Sequence, residues 1–165
     1  MNRRDLLQFG ALVLPRLPAL AQGTQWQPQL FDAHQNDTVI ALSEWIIPAT
    51  DTPGAKAALV NRYMDLLLRE GPEESRIEFL SGLGWLDGYA LSKHSQPFTG
   101  CSREQQEALL RTLDSPDFPA PGRSFFGSVK MLTARIYYAT QPGFQEMNKG
   151  GRVPTTYGCT HNGHA

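Results

Sequence analysis

Side chains able to do chemistry gather in two places in this 165-residue sequence. One is the run Cys159-Thr160-His161-Asn162-Gly163-His164, which holds a thiol and two imidazoles, all zinc-competent ligands. A structural zinc site needs four ligands in closed geometry, and no second ligand cluster lies upstream of this one. The other place is the pair Glu44 and Asp51, on either side of Pro48. Acid–base catalysis needs a second group within reach of the first, and neither carboxylate has one nearby in sequence. The plainer reading makes Asp51 a cap at a helix start and Glu44 part of a solvated helix face. No local signature pairs a serine or cysteine with a histidine. There is no C-x-x-C-H for covalent haem and no G-x-G-x-x-G after a strand. We therefore assign no catalytic, cofactor-binding or metal-ligating residue. The alternative is a stand-alone enzyme or metal-binding module using Asp51, Cys159, His161 and His164.

The segment that positions these carboxylates runs from Leu42 to Ala55. Pro48 lacks an N–H and disfavours helix at Ile47, so a first helix ends there. Thr52 followed by Pro53 reads as an N-cap and first helical residue. The first helix starts near Ala33 behind Asp32 as cap, with Val39, Leu42, Trp45 and Ile46 at helical spacing. A second helix is predicted over 53–70, with Val60, Tyr63 or Met64, and Leu67 on its buried face. Gly71 ends it and Pro72 opens a third, whose stripe is Phe79, Leu83, Leu86 and Ala90. Gly82, Gly84 and Gly88 in that helix mark either close approach or a break. Ser102-Arg103-Glu104-Gln105 is a capping box for a fourth helix ending near Leu113. After an irregular stretch with three prolines, Ser124 caps a fifth, with Phe125, Val129, Leu132 and Ile136 inward. No period-two pattern occurs. The expected fold is all-α, a compact bundle of about five helices to residue 140, followed by an irregular tail over 141–165.

The first 21 residues read differently. Arg3-Arg4, then Leu6-Leu7, the apolar run to Leu14 and the A-x-A site at Ala19-Leu20-Ala21 have the order of an export signal, with the paired arginines of the twin-arginine type. Asp5, Pro15 and Pro18 depart from the usual pattern. Removing residues 1–21 takes net charge from −1 to −3. Neither value offers the basic footprint a nucleic acid needs. The single domain over 22–165 is expected in the periplasm, where disulfides persist. Cys101 and Cys159 are then bridged to each other, bridged to a partner, or free. An internal bridge would close a loop of about sixty residues and add about 4 kcal/mol in the chain-entropy view.

The run from Ser43 to Ala55 resembles the signature of the gluconate 2-dehydrogenase subunit 3 family. Gln105-Gln106 with Leu109-Leu110, Phe125-Phe126 through Val129-Lys130 to Tyr137-Tyr138, and Tyr157-Gly158-Cys159-Thr160-His161 resemble it too. The resemblance implies a small non-catalytic subunit of a bacterial sugar or polyol dehydrogenase. Its large partner carries FAD, a multihaem cytochrome c subunit often completes the complex, and the small subunit's twin-arginine signal escorts the flavoprotein through the translocase. The resemblance and the corner together point to Trp45, Thr50, Asp51, Tyr137, Tyr138, Tyr157 and His161 as a partner interface. One departure stands out: Glu146-Met147-Asn148-Lys149-Gly150 replaces the family's Glu-Leu-Gly-Tyr-like segment.

Overall fold

Asp32 opens the first helix, α1 (Ala33–Ile46), with a capping box. Its carboxylate accepts from the Gln35 N–H, and the Gln35 side chain accepts from the Asp32 N–H. These bonds satisfy donors that any helix start leaves open. Then come α2 (Val60–Glu70), α3 (Glu73–His94), a 3-10 turn at Phe98–Gly100, α4 (Arg103–Leu113), α5 (Gly122–Ala139) and α6 (Gln141–Met147). Ser102 and Gln105 repeat the capping box at α4. The structure, a computed structural model, describes residues 26–149. Among them there is no strand, and the fold is all-α with six helices.

The fifth helix is the axis, since α5 touches each of the other five. Its inward face carries the predicted Phe125, Val129, Leu132 and Ile136, joined by Phe126, Thr133 and Tyr137. Against it lie Val39 and Leu42 of α1, Met64 of α2, and Leu83 and Leu86 of α3, all buried. Phe31, Phe79 and Phe125 form an aromatic row with centroids 6.0 and 5.6 Å apart. The lead-in is tied down by Asp65 of α2, whose buried carboxylate accepts the N–H groups of Gln29, Leu30 and Phe31 at 3.0, 2.9 and 2.9 Å.

Five sequence expectations need correction. The second helix starts at Val60, not Pro53, because the chain from Gly54 to Leu59 turns on itself and Leu59 takes a left-handed φ of 59° that a helix cannot run through. Thr52 is therefore not an N-cap; its carbonyl accepts from Thr50 N–H instead. The buried stripe of α2 is Val60, Met64 and Leu68, which leaves Tyr63 and Leu67 exposed. Ser124 lies inside α5, whose cap residue is Pro121. Finally, the tail expected to be irregular from 141 opens with α6: Gln141-Pro142-Gly143, whose proline and glycine read in sequence as a helix end, begins a helix. Thr140 is extended and its hydroxyl accepts from Gly143 N–H, while Pro142 occupies a first-turn position where its missing donor is harmless.

The three glycines of α3 divide sharply. A Cβ on Gly82 would stand 2.1 Å from the Phe125 ring, whereas Gly84 and Gly88 face open space. Gly82 is the residue that lets α3 approach α5. Gly82→Ala should destabilise the domain by about 1–3 kcal/mol through overpacking. Gly84→Ala should stabilise it by about 0.5–1 kcal/mol by restricting the unfolded chain. Paired urea denaturation curves read both signs.

Candidate interaction surface

The corner between α1 and α2 is a run of non-helical backbone whose polar groups must find partners. Glu44, in the last turns of α1, supplies two of them. Its Oε1 accepts from Ala49 N–H at 3.0 Å and its Oε2 from Lys56 N–H at 2.9 Å. Gly54 makes the fold-back possible, because a Cβ there would meet Ala49 N at 2.4 Å and Glu44 Oε1 at 2.7 Å. So Glu44 is not part of a solvated face; it is the clasp of the corner. Asp51 is not a helix cap either. It lies exposed at the tip, accepting from Thr50 Oγ1 and pairing with Lys149 Nζ, both at 3.0 Å. The Lys149 bond, then the Thr50 bond, holds its carboxyl below the ordinary 3.8.

From the other side, Tyr137 reaches the same corner. Its hydroxyl faces two acceptors, the Pro53 carbonyl at 2.8 Å and Glu146 Oε2 at 2.7 Å. Burial, then the Glu146 carboxylate, pushes the phenol up from its ordinary value. The segment that departs from the family pattern thus has local work here: Glu146 meets Tyr137 and Lys149 meets Asp51. Of the tyrosine pair expected at an interface, Tyr137 is wholly inside the domain and only Tyr138 presents its ring to solvent.

Trp45 is half-buried and engaged within its own chain. Its Nε1 donates to Gln106 Oε1 at 2.9 Å, and the Arg103 guanidinium lies 4.2 Å from its ring centroid. Gln106 Nε2 in turn donates to the Phe98 carbonyl at 2.9 Å. Cys101 is buried with Sγ directed at the Gln96 carbonyl. Burial raises its thiol, with Asp87 adding to the effect, and a protonated buried thiol is unreactive. Among the described residues no group of three or more His, Cys, Asp and Glu is placed to hold a metal. Arg3, Arg4, Tyr157, Cys159, His161 and His164 lie outside the described residues.

The most extended apolar surface was not foreseen. Tyr63, Leu66 and Leu67 of α2, Ile77 of α3, and Met131 and Tyr138 of α5 are each 41–60% exposed. All but Tyr138 border two hollows. One, of about 320 Å³, is lined by Tyr63, Leu66, Leu67 and Ile136; the other, of about 630 Å³, by Leu67, Ile77, Trp85, Phe125 and Met131. Leu67 belongs to both, so the surface is continuous. Met131, Arg135 and Tyr138 recur at the helical spacing that places side chains on one face of α5. The sequence did hold a signal. Tyr63-Met64 and Leu66-Leu67-Leu68 supply five apolar residues in six positions, more than one buried stripe can use. Contiguous exposed apolar area of this kind marks an interaction site.

Residues 33–151 match the family described as gluconate 2-dehydrogenase subunit 3, over well more than half of the chain. The chain belongs to that family. No curated protein and no solved structure gives a significant match. The family's description names a numbered subunit of a dehydrogenase, which implies a multi-subunit complex. Among the described residues no helix is long and apolar enough to cross a membrane.

Two consequences follow for the corner of this subunit. Glu44→Ala removes the acceptor of two backbone donors and should destabilise the fold by about 1–3 kcal/mol in chemical denaturation. The folded Asp51 carboxyl is depressed, so its pairing with Lys149 is present above the unfolded value and is lost as pH falls through the folded one, below 3.8. Carboxyl-detected NMR titration should place its midpoint there, and Lys149→Ala should move the midpoint up.

Proposed function

We propose that this chain is the small, non-catalytic accessory subunit of an exported FAD-dependent sugar or polyol dehydrogenase of the gluconate type. The large flavoprotein docks on the face formed by Tyr63, Leu66, Leu67, Ile77, Met131 and Tyr138. The observation that carries this reading is the continuous apolar surface on a member of a dehydrogenase-subunit family. The side chains that looked most chemical in the described residues support it by what they do: Glu44, Asp51, Tyr137 and Trp45 spend their polar atoms on their own fold. In this reading the redox chemistry belongs to FAD in the partner, with electrons passing on to a cytochrome c subunit where one is present. The Arg3-Arg4 leader addresses the pair to the twin-arginine translocase, and the assembled complex works in the periplasm.

Co-expression with a large FAD-dependent dehydrogenase subunit from the same genome tests the reading. The tagged chain should purify with a stoichiometric flavin-bearing partner. Met131→Glu and Leu67→Glu should each weaken that association by about tenfold or more, because a carboxylate would be desolvated at the contact. Both sites are exposed, so the denaturation midpoint should stay put. Recovery of the chain alone and flavin-free sinks the reading; undiminished co-purification of both variants sinks the docking face. In the same cells, replacing Arg3-Arg4 by Lys-Lys should leave both chains in the cytoplasm.

A further inference from the structure

We infer that, before any partner binds, the apolar face of α2, α3 and α5 is occupied in cis by the chain's own leader, through the apolar run from Leu6 to Leu14. The inference rests on the surface described above and not on the identity of the partner.

The exit point of the leader carries the argument. The described chain begins at Trp26, and the Arg62 guanidinium of α2 lies 5.1 Å from its ring centroid. Asp65 fixes the next residues by accepting from Gln29, Leu30 and Phe31. The leader is therefore delivered to α2 at a fixed place. Arg62 and Leu66 are four residues apart, one above the other on the same helical face. Leu66 lines the smaller hollow, and Leu67 joins that hollow to the 630 Å³ groove. Apolar surface thus runs from Leu66, one turn from the point where the described chain begins, to the 630 Å³ groove.

Length and chemistry agree. Residues 15–25 separate the apolar run from Trp26, and eleven residues can span up to about 36 Å. That exceeds the width of two packed helices, at about 10–12 Å each. The run offers Leu6, Leu7, Phe9, Leu12, Val13 and Leu14 to a groove whose walls are Leu67, Ile77, Phe125 and Met131. A groove of this volume is of the size that anchors apolar side chains. Glu78 lies in its lining, and the leader carries Arg3, Arg4 and Arg16 against the single Asp5, a complementary charge. A partner that takes the face displaces the leader, so leader availability becomes coupled to assembly by competition for one surface.

Photo-crosslinking of the full-length chain, leader retained and partner absent, tests this. With p-benzoylphenylalanine in place of Met131, irradiation should attach the tryptic peptide Asp5–Arg16 within the same chain, as mixing isotopically light and heavy protein reveals. The paired change Leu12→Glu and Val13→Glu leaves the helical body untouched and should lower that cross-link by about tenfold or more. A second probe at Ile77 guards against local damage from the first. Cross-links between light and heavy chains would replace the proposal with self-association. Cross-links to residues 150–165, no cross-link from either probe, or an unchanged yield in the leader variant would each overturn it. Co-purification with the flavoprotein can succeed or fail independently of all these outcomes.

Discussion

The corner from Ile47 to Leu59 keeps one shape because side chains from two different helices satisfy its backbone. Glu44 brackets it from α1 by accepting from Ala49 and Lys56, and Tyr137 holds it from α5 by donating toward the Pro53 carbonyl. Non-helical backbone cannot pair its own donors and acceptors along a ladder, so such bonds decide whether a corner has one conformation or many. Gly54 is the steric condition for the bracket, since any Cβ would intrude on Ala49 and Glu44. With the corner fixed, Leu59 can sit at positive φ, a conformation that costs a non-glycine residue about 1–2 kcal/mol and persists only where its surroundings over-determine it.

That constraint propagates into the surface. Because the corner consumes the chain through Leu59, α2 is only eleven residues long and must do two jobs at once. Val60, Met64 and Leu68 bury against the core, while Tyr63, Leu66 and Leu67 point away from it. A helix apolar on more than one side is ordinarily covered on more than one side. The fold covers one, and the other is left for something outside the helical body. The lead-in pinned by Asp65 arrives beside that second side.

Much of the fold could be read directly. The Asp32 cap, the Ser102 capping box, the stripe of α3 and the stripe of α5 are local or periodic signals, and each appears where spacing placed it. What sequence could not show depended on contacts between distant residues. Whether Gly82 was a break or a point of approach was settled by Phe125, forty-three positions away. Thr52-Pro53 carried a sound capping pattern, but tertiary bonds from Glu44 and Tyr137 overrode it. Gln141-Pro142-Gly143 looked like a terminator because proline and glycine end helices; the Thr140 hydroxyl turned the same residues into a start. The family was legible from the corner; of the residues singled out for a partner, Thr50 and Asp51 stand exposed at its tip, while Trp45 and Tyr137 bond within their own chain. Trp45 and Tyr137 answer to Gln106, Arg103, Pro53 and Glu146.

The division of labour between the two regions has a physical logic. Residues that satisfy backbone at a corner cannot also vary to suit a partner, because each loss leaves a donor or acceptor unmet. Exposed apolar residues on regular helices are under no such obligation. Leu66, Leu67, Ile77 and Met131 are exposed apolar side chains that can be replaced without unpairing a polar group. A family resemblance carried by the corner and a proposed docking face on α2, α3 and α5 fit that asymmetry. The corner fixes the start of α2, and the exposed apolar residues lie on helices whose positions the scaffold sets.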